Sequence, residues 1–244
     1  MNLKISDLLF GYNIPLIKSP MQVEIEEGTI IAVVGKNGMG KSTLLKTIAG
    51  IIPSLSGEVF IDSQRIDNYN ISKKISVVLT TKPLSALSVK EVLSLGRIPY
   101  TNRFNQLNVK DKQIIERIIK KLNLQSLLNK KINQISDGEL QIVMIARALI
   151  QDTPIIILDE PTTHLDLDNK AIVLGILEEM KEEGKIIIFS THDINLVLSR
   201  VDSIWVINNK TFKQIFKGDE CEIKKIFSSE KLVFDEQCKI IRLV

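Results

Sequence analysis

Polar and apolar side chains alternate through Gln22-Val23-Glu24-Ile25-Glu26, the period of a strand with one buried face. Residues 30–34, Ile-Ile-Ala-Val-Val, are apolar throughout, as a strand covered on both faces requires. A glycine-rich turn follows, then a helix over residues 41–48 that Gly50 and Pro53 stop. Ser56-Gly57 and Asp62-Ser63 bracket a further strand at 58–61.

From about residue 82 to 150 the pattern turns helical. Ser88-Val89-Lys90-Glu91 is a capping box, and Asn108 is placed to cap a helix over 109–122. In that helix Ile114, Ile115, Ile118, Ile119 and Leu122 form one apolar stripe, while Lys120-Lys121 reads as a solvated face, as does Lys130-Lys131. Past Pro154 apolar strands return at 155–158, 186–189 and 203–207, with helices predicted near 168–183 and 193–200 between them. Trp205 falls inside the last strand and is expected in the core. Short apolar strands separated by helices predict an α/β fold with a mostly parallel sheet, interrupted by a helical insertion.

Composition narrows the class. At 244 residues with no internal repeat, the chain reads as one domain carrying a modest subdomain. Its 32 Lys and Arg against 29 Asp and Glu leave +3, too balanced to argue for nucleic acid or a membrane surface. An aromatic share of 5% is a thin supply for stacking on bases. Cys221 and Cys238 read as ordinary reduced thiols, and two histidines are too few for a histidine-rich metal site. No apolar run approaches the roughly 18–20 residues of a spanning helix, and residues 1–7 lack the apolar core of a secretory signal. A cytoplasmic chain is expected, at the membrane only if another protein holds it there.

Three stretches carry candidate chemistry. Gly35-Lys36-Asn37-Gly38-Met39-Gly40-Lys41-Ser42, followed by Thr43, fits the phosphate loop G-x-x-x-x-G-K-[ST] between a strand and a helix. Its glycines let backbone N–H groups turn around phosphate oxygens, Lys41 is suited to the β- and γ-phosphates, and the Ser42 hydroxyl to Mg²⁺. Ile155-Ile156-Ile157-Leu158 delivers Asp159 and Glu160 to the end of a strand. There Asp159 is suited to hold Mg²⁺ through its water shell and Glu160 to activate water against a γ-phosphate. His192, in Ser190-Thr191-His192-Asp193 after another apolar strand, can donate a hydrogen bond to the γ-phosphate.

Ile135-Ser136-Asp137-Gly138-Glu139-Leu140-Gln141 resembles the signature motif of ABC-transporter ATPase subunits. With the phosphate loop, Asp159-Glu160 and His192 in the same order, the resemblance spans about residues 3–208. It implies a phosphate-loop ATPase core over 1–81 and 151–210, with an antiparallel β portion near the N-terminus. A helical signature subdomain over 82–150 and a C-terminal extension over 211–244 complete the expected layout. Tyr12 matches the aromatic that stacks on adenine, and Leu165-Asp166 the loop joining the two sites of a dimer. Ser136 and Gly138 match residues that touch the γ-phosphate held by the other subunit.

The sequence departs from the family pattern in two motifs. The strand Ile75-Ser76-Val77-Val78-Leu79 leads to Thr80 where a Gln usually helps coordinate Mg²⁺, and the signature reads Ser-Asp-Gly-Glu where Ser-Gly-Gly-Gln is usual. His164 is assigned no chemistry. Gly96-Arg97-Ile98-Pro99-Tyr100 resembles importers of iron–siderophore, haem and cobalamin. The resemblance therefore implies an importer ATPase that sandwiches two MgATP between head-to-tail copies and drives separate membrane permease subunits. A substrate-binding protein would take part indirectly, and no nucleic acid is expected. The competing expectations are an exporter ATPase and a soluble ABC protein acting on ribosomes or DNA. The stretch from Thr211 is uninformative beyond a short hairpin and helix packed on the core.

Overall fold

The computed structural model describes residues 1–66, 71–79, 86–101, 106–163, 165–198, 200–219, 222, 232–235 and 240–243. Thr80, His164, Cys221 and Cys238 lie outside these. Strands β1 (Asn2–Leu9), β2 (Met21–Glu26) and β3 (Thr29–Val34) lead into helix α1 (Lys41–Ile48), then β4 (Ser56–Ile61), β5 (Gln64–Arg65) and β6 (Ile75–Val78). Helices α2 (Val89–Leu95), α3 (Val109–Lys121) and α4 (Asp137–Gln151) follow. The chain then continues through β7 (Ile155–Leu158), α5 (Leu167–Glu182), β8 (Ile186–Thr191), α6 (Ile194–Val197), β9 (Ser203–Asn208) and β10 (Thr211–Phe216). The last described elements are β11 (Leu232–Asp235) and β12 (Ile240–Leu243), an antiparallel hairpin.

The central sheet has the order β10-β9-β3-β8-β7-β6, parallel except for β10, and the antiparallel sheet has the order β2-β1-β4-β5. The continuous apolar runs are explained by burial on both faces. Ile30, Ala32 and Val34 of β3 enter the core shared with the helical insertion, while Ile31 and Val33 enter the core shared with α1 and the antiparallel sheet. Strand β9 divides the same way, with Ile204 and Val206 on one side and Trp205 and Ile207 on the other. In β2, by contrast, Met21, Val23 and Ile25 are buried and the residues between them exposed.

The insertion is set by its caps. The Ser88 N–H donates to Glu91 Oε2 at 2.7 Å, and the Asp111 N–H to Asn108 Oδ1 at 2.9 Å, so both predicted helix starts are capped. The run at residues 96–100 is a joint between α2, α3 and α4. Arg97, 5% exposed, donates Nε to Asp111 Oδ1 at 2.8 Å and Nη1 to the Ile150 carbonyl at 3.1 Å. Its guanidinium lies over the Tyr100 ring at 4.0 Å. Gly96 is required by close approach, because a Cβ there would stand 2.6 Å from the Arg147 carbonyl oxygen.

Four expectations are corrected. Strand β8 runs to Thr191, two residues past the end of its apolar run, because β3 pairs with it through Val33↔Ser190 and Val34↔Thr191. Helix α6 ends at Val197. The chain must turn back at Asp202, whose N–H donates to the Ile30 carbonyl at 2.9 Å and whose carboxylate accepts the Ile30 N–H at 2.8 Å. Lys121 is not free in solvent but pairs with Glu179 of α5. Finally, β10 adds antiparallel to β9 and so belongs to the central sheet. The expected C-terminal hairpin is β11–β12; the helix expected beside it is not among the elements of the described residues.

Candidate functional site

Parallel pairing brings the C-terminal ends of β3, β8 and β7 to one edge of the sheet, with Val34 opposite Thr191 and Leu158 opposite Phe189. Loops leaving such an edge are where open α/β sheets bind ligands. The phosphate loop leaves β3 and the carboxylate pair leaves β7, and Ser190 to Asp193 close β8 and leave it.

Within the phosphate loop, Lys36, Asn37 and Gly38 are exposed, and Gly35, Met39, Gly40, Ser42 and Thr43 are half-buried. Gly40 occupies the N-cap of α1 with φ +96°, and no side chain caps the helix or places an acid in its first turn. The helix N-terminal N–H groups and their partial positive charge are thereby left for an anion. Lys41 is buried, and its ammonium donates to the carbonyl oxygens of Gly35 at 2.9 Å and Lys36 at 3.4 Å, spanning the loop it would share with a phosphate. Tyr12 is 67% exposed, a large ring free to be covered by a flat ligand.

At the end of β7, Asp159 is 3% exposed and Oδ1 accepts the Ser190 hydroxyl at 2.6 Å. Glu160 has φ +52°, a left-handed conformation uncommon outside glycine. Its N–H donates to Ser190 Oγ at 2.8 Å, and its Oε2 accepts the Thr163 hydroxyl at 3.1 Å. His192 is exposed, with Nδ1 3.8 Å from Glu160 Oε2, outside hydrogen-bond range. The structure therefore places Asp159, Glu160 and His192 near one another and adds Ser190 and Thr163, to which no role had been given. The only local signal for Ser190 is a hydroxyl following the apolar run of β8.

The donor set suits MgATP. Ser42 and Asp159 offer the hard hydroxyl and carboxylate oxygens that Mg²⁺ takes together with phosphates. Among the described residues no three His, Cys, Asp or Glu side chains form a metal-holding group.

The signature residues sit apart from this cluster, at the start of α4. Ser136 is its N-cap: its hydroxyl accepts the Glu139 N–H at 3.2 Å, while the Ser136 N–H donates to Glu139 Oε2 at 2.8 Å. That N–H holds the Glu139 carboxyl below its ordinary pKa, against the opposing effect of burial. Asp137 is exposed, and Gly138 packs near Leu165, since a Cβ on it would lie 3.4 Å from Leu165 Cδ2. Asp166 caps α5 by accepting the Asn169 N–H at 2.8 Å.

Known proteins resemble this chain over most of its length. A family model described as ABC transporter matches residues 19–163. The achromobactin transport ATP-binding protein of Dickeya dadantii is 31% identical, covering 96% of this chain and 88% of the relative. The iron(3+)-hydroxamate import ATP-binding protein of Bacillus subtilis is 35% identical, covering 80% of this chain and 74% of the relative. Among solved structures, an inward-facing chain described as a metal-chelate type ABC transporter superposes with TM-score 0.80 at 27% identity, over 99% of this chain and 96% of the other. A dimeric ATP-binding cassette in a post-hydrolysis state with ADP and phosphate superposes with TM-score 0.77 at 26% identity, over 88% of this chain and 98% of the other.

Proposed function

The chain belongs to the ABC transporter family and is an ATPase subunit, and from that premise we propose that it powers import of a metal chelate of the iron–siderophore class. The relatives named for achromobactin and iron(3+)-hydroxamate support that cargo class, as does the metal-chelate type of a solved neighbour. ATP binds on the phosphate loop, its phosphates at the N-terminus of α1 and on Lys41, its adenine against Tyr12. Ser42 and Asp159 would hold Mg²⁺, which when bound would offset phosphate charge. Glu160 takes the proton of the attacking water, and His192 donates to the γ-phosphate.

The observation that carries this function is the cluster on one sheet edge, where a strained Glu160 follows a buried Asp159 at the end of β7, one strand removed from the β3 end that delivers the phosphate loop. In this proposal two copies bind head to tail, so that Ser136 and Gly138 of one reach the γ-phosphate of the other. The dimeric solved relative supports such a pair. No helix among the described residues is long and apolar enough to cross a membrane. In this reading the translocation path is supplied by separate permease subunits fed by a binding protein, as the transport ATP-binding names of the relatives support.

The deciding experiment is purification with the native membrane partners, followed by ATPase assays with a panel of chelates. Stimulation by an Fe³⁺–siderophore, and not by the metal-free chelator, is expected. A co-purifying exporter permease with no chelate response would overturn the cargo class.

A further inference from the structure

Ser190 is fully buried, yet it is a polar residue in the middle of the site. Its hydroxyl donates to Asp159 Oδ1 at 2.6 Å and accepts the Glu160 N–H at 2.8 Å. One oxygen on β8 thus joins two consecutive residues at the end of β7, and both hydrogen-bonding capacities are used in definite directions. The first bond fixes a carboxylate oxygen of Asp159. The second holds the backbone of Glu160 at φ +52°, where an ordinary residue is strained unless its surroundings over-determine it. The Glu160 side chain leaves from that backbone, and Thr163 then steadies its carboxylate at 3.1 Å.

We propose that Ser190 is a positioning residue for hydrolysis: its hydroxyl sets the Mg²⁺-facing carboxylate of Asp159 and the water-facing carboxylate of Glu160 in one fixed relation. The proposal rests on the roles given above to Asp159 and Glu160. It assigns Ser190 no contact with nucleotide. Because Ser190 sits on β8 and the pair directly follows β7, the relation is anchored by the parallel pairing of two central strands up to Leu158 and Phe189. Without the hydroxyl, Asp159 Oδ1 and the Glu160 N–H each lose the hydrogen bond that Ser190 gives them. Both would seek water or other partners, moving the two carboxylates independently. A misplacement of about 1 Å at a reacting centre is enough to cost on the order of a hundredfold in rate.

The test compares Ser190→Thr with Ser190→Val, two side chains of nearly equal shape that differ in the hydroxyl, and adds Ser190→Ala. Steady-state hydrolysis of MgATP by the full chain gives kcat and KM. Calorimetric titration with ATP in Mg²⁺-free buffer gives nucleotide affinity independently of turnover. Ser190→Thr is expected to keep kcat within about threefold of wild type. Ser190→Val and Ser190→Ala should lose at least about tenfold, with KM and Mg²⁺-free affinity within about twofold. Equal kcat in the Thr and Val variants, whether both fast or both slow, overturns the proposal. So does a loss of nucleotide affinity that parallels the loss of rate. Glu160→Gln is run alongside: retained hydrolysis there sinks the roles assigned to the pair. An inactive Glu160→Gln with a hydroxyl-independent position 190 sinks only the role of Ser190.

Discussion

Glu160 combines a left-handed backbone at φ +52° with a carboxylate bound by Thr163, and both features bear on its proposed role as base. The first aims the side chain, and the second keeps it from turning away. Glu160→Gln preserves shape and can still accept from Thr163, but it cannot take a proton. Turnover in that variant is expected to fall by at least about a hundredfold while ATP affinity is retained. Phosphate release and equilibrium nucleotide binding, measured on one preparation, check both halves. Asp159 and Glu160 were legible as candidates because an apolar run that ends abruptly in two acids is informative by itself. Ser190 was not, because its hydrogen-bond partner lies 31 residues away and is reached only by strand pairing.

At the scale of elements, the start of α4 and the joint at Arg97 make opposite demands on charge. Glu139 is bound to the Ser136 N–H and held as a carboxylate at a helix start proposed to meet a phosphate. Glu139→Gln keeps the acceptor and removes the charge. It should tighten ATP-dependent association by up to about fivefold, an effect that shrinks as salt is added. The depressed pKa also fixes the sign of a stability effect. The stabilisation from the ionised cap is complete above the ordinary carboxylate value and is lost as pH falls through the lower, folded-state value. The stability difference between wild type and Glu139→Gln in urea should therefore be constant near neutrality and vanish in acid.

At Arg97 the charge is structural. Asp111 is 1% exposed, so Arg97→Ala leaves a buried carboxylate without its guanidinium. The expected cost is about 3–5 kcal/mol, read from the urea midpoint at unchanged slope. The helix starts at Ser88 and Asn108 were readable from spacing alone, because a capping box is local. The shortness of α6 was not, because its end is dictated by the pairing of Asp202 with Ile30 on another strand.

For the whole molecule, the proposed sandwich makes association depend on nucleotide. Glu160→Gln with ATP and Mg²⁺ is expected to run as a dimer in size-exclusion chromatography and to return to a monomer when ATP is withdrawn. Adding Lys41→Ala should abolish that dimer. Its ammonium contributes charge-assisted hydrogen bonds, and their loss weakens nucleotide binding by about tenfold or more. A dimer that forms equally well without ATP would count against the sandwich.

The sequence by itself determined the features whose physics is local or one-dimensional. These are the strands buried on both faces, the capped helices, the glycine-rich turn before Lys41, and the acids that end β7. With the signature spacing they were enough to indicate the family. The tertiary structure decided which of these ends meet. It set β3, β8 and β7 side by side in register, carried β8 on to Thr191, and lodged the Ser190 hydroxyl between Asp159 and the Glu160 backbone. It also joined Arg97 to Asp111 and the end of α4. Hydrogen bonds between distant segments leave no periodic trace in the chain, since their geometry exists only once two-sided burial has packed the strands together.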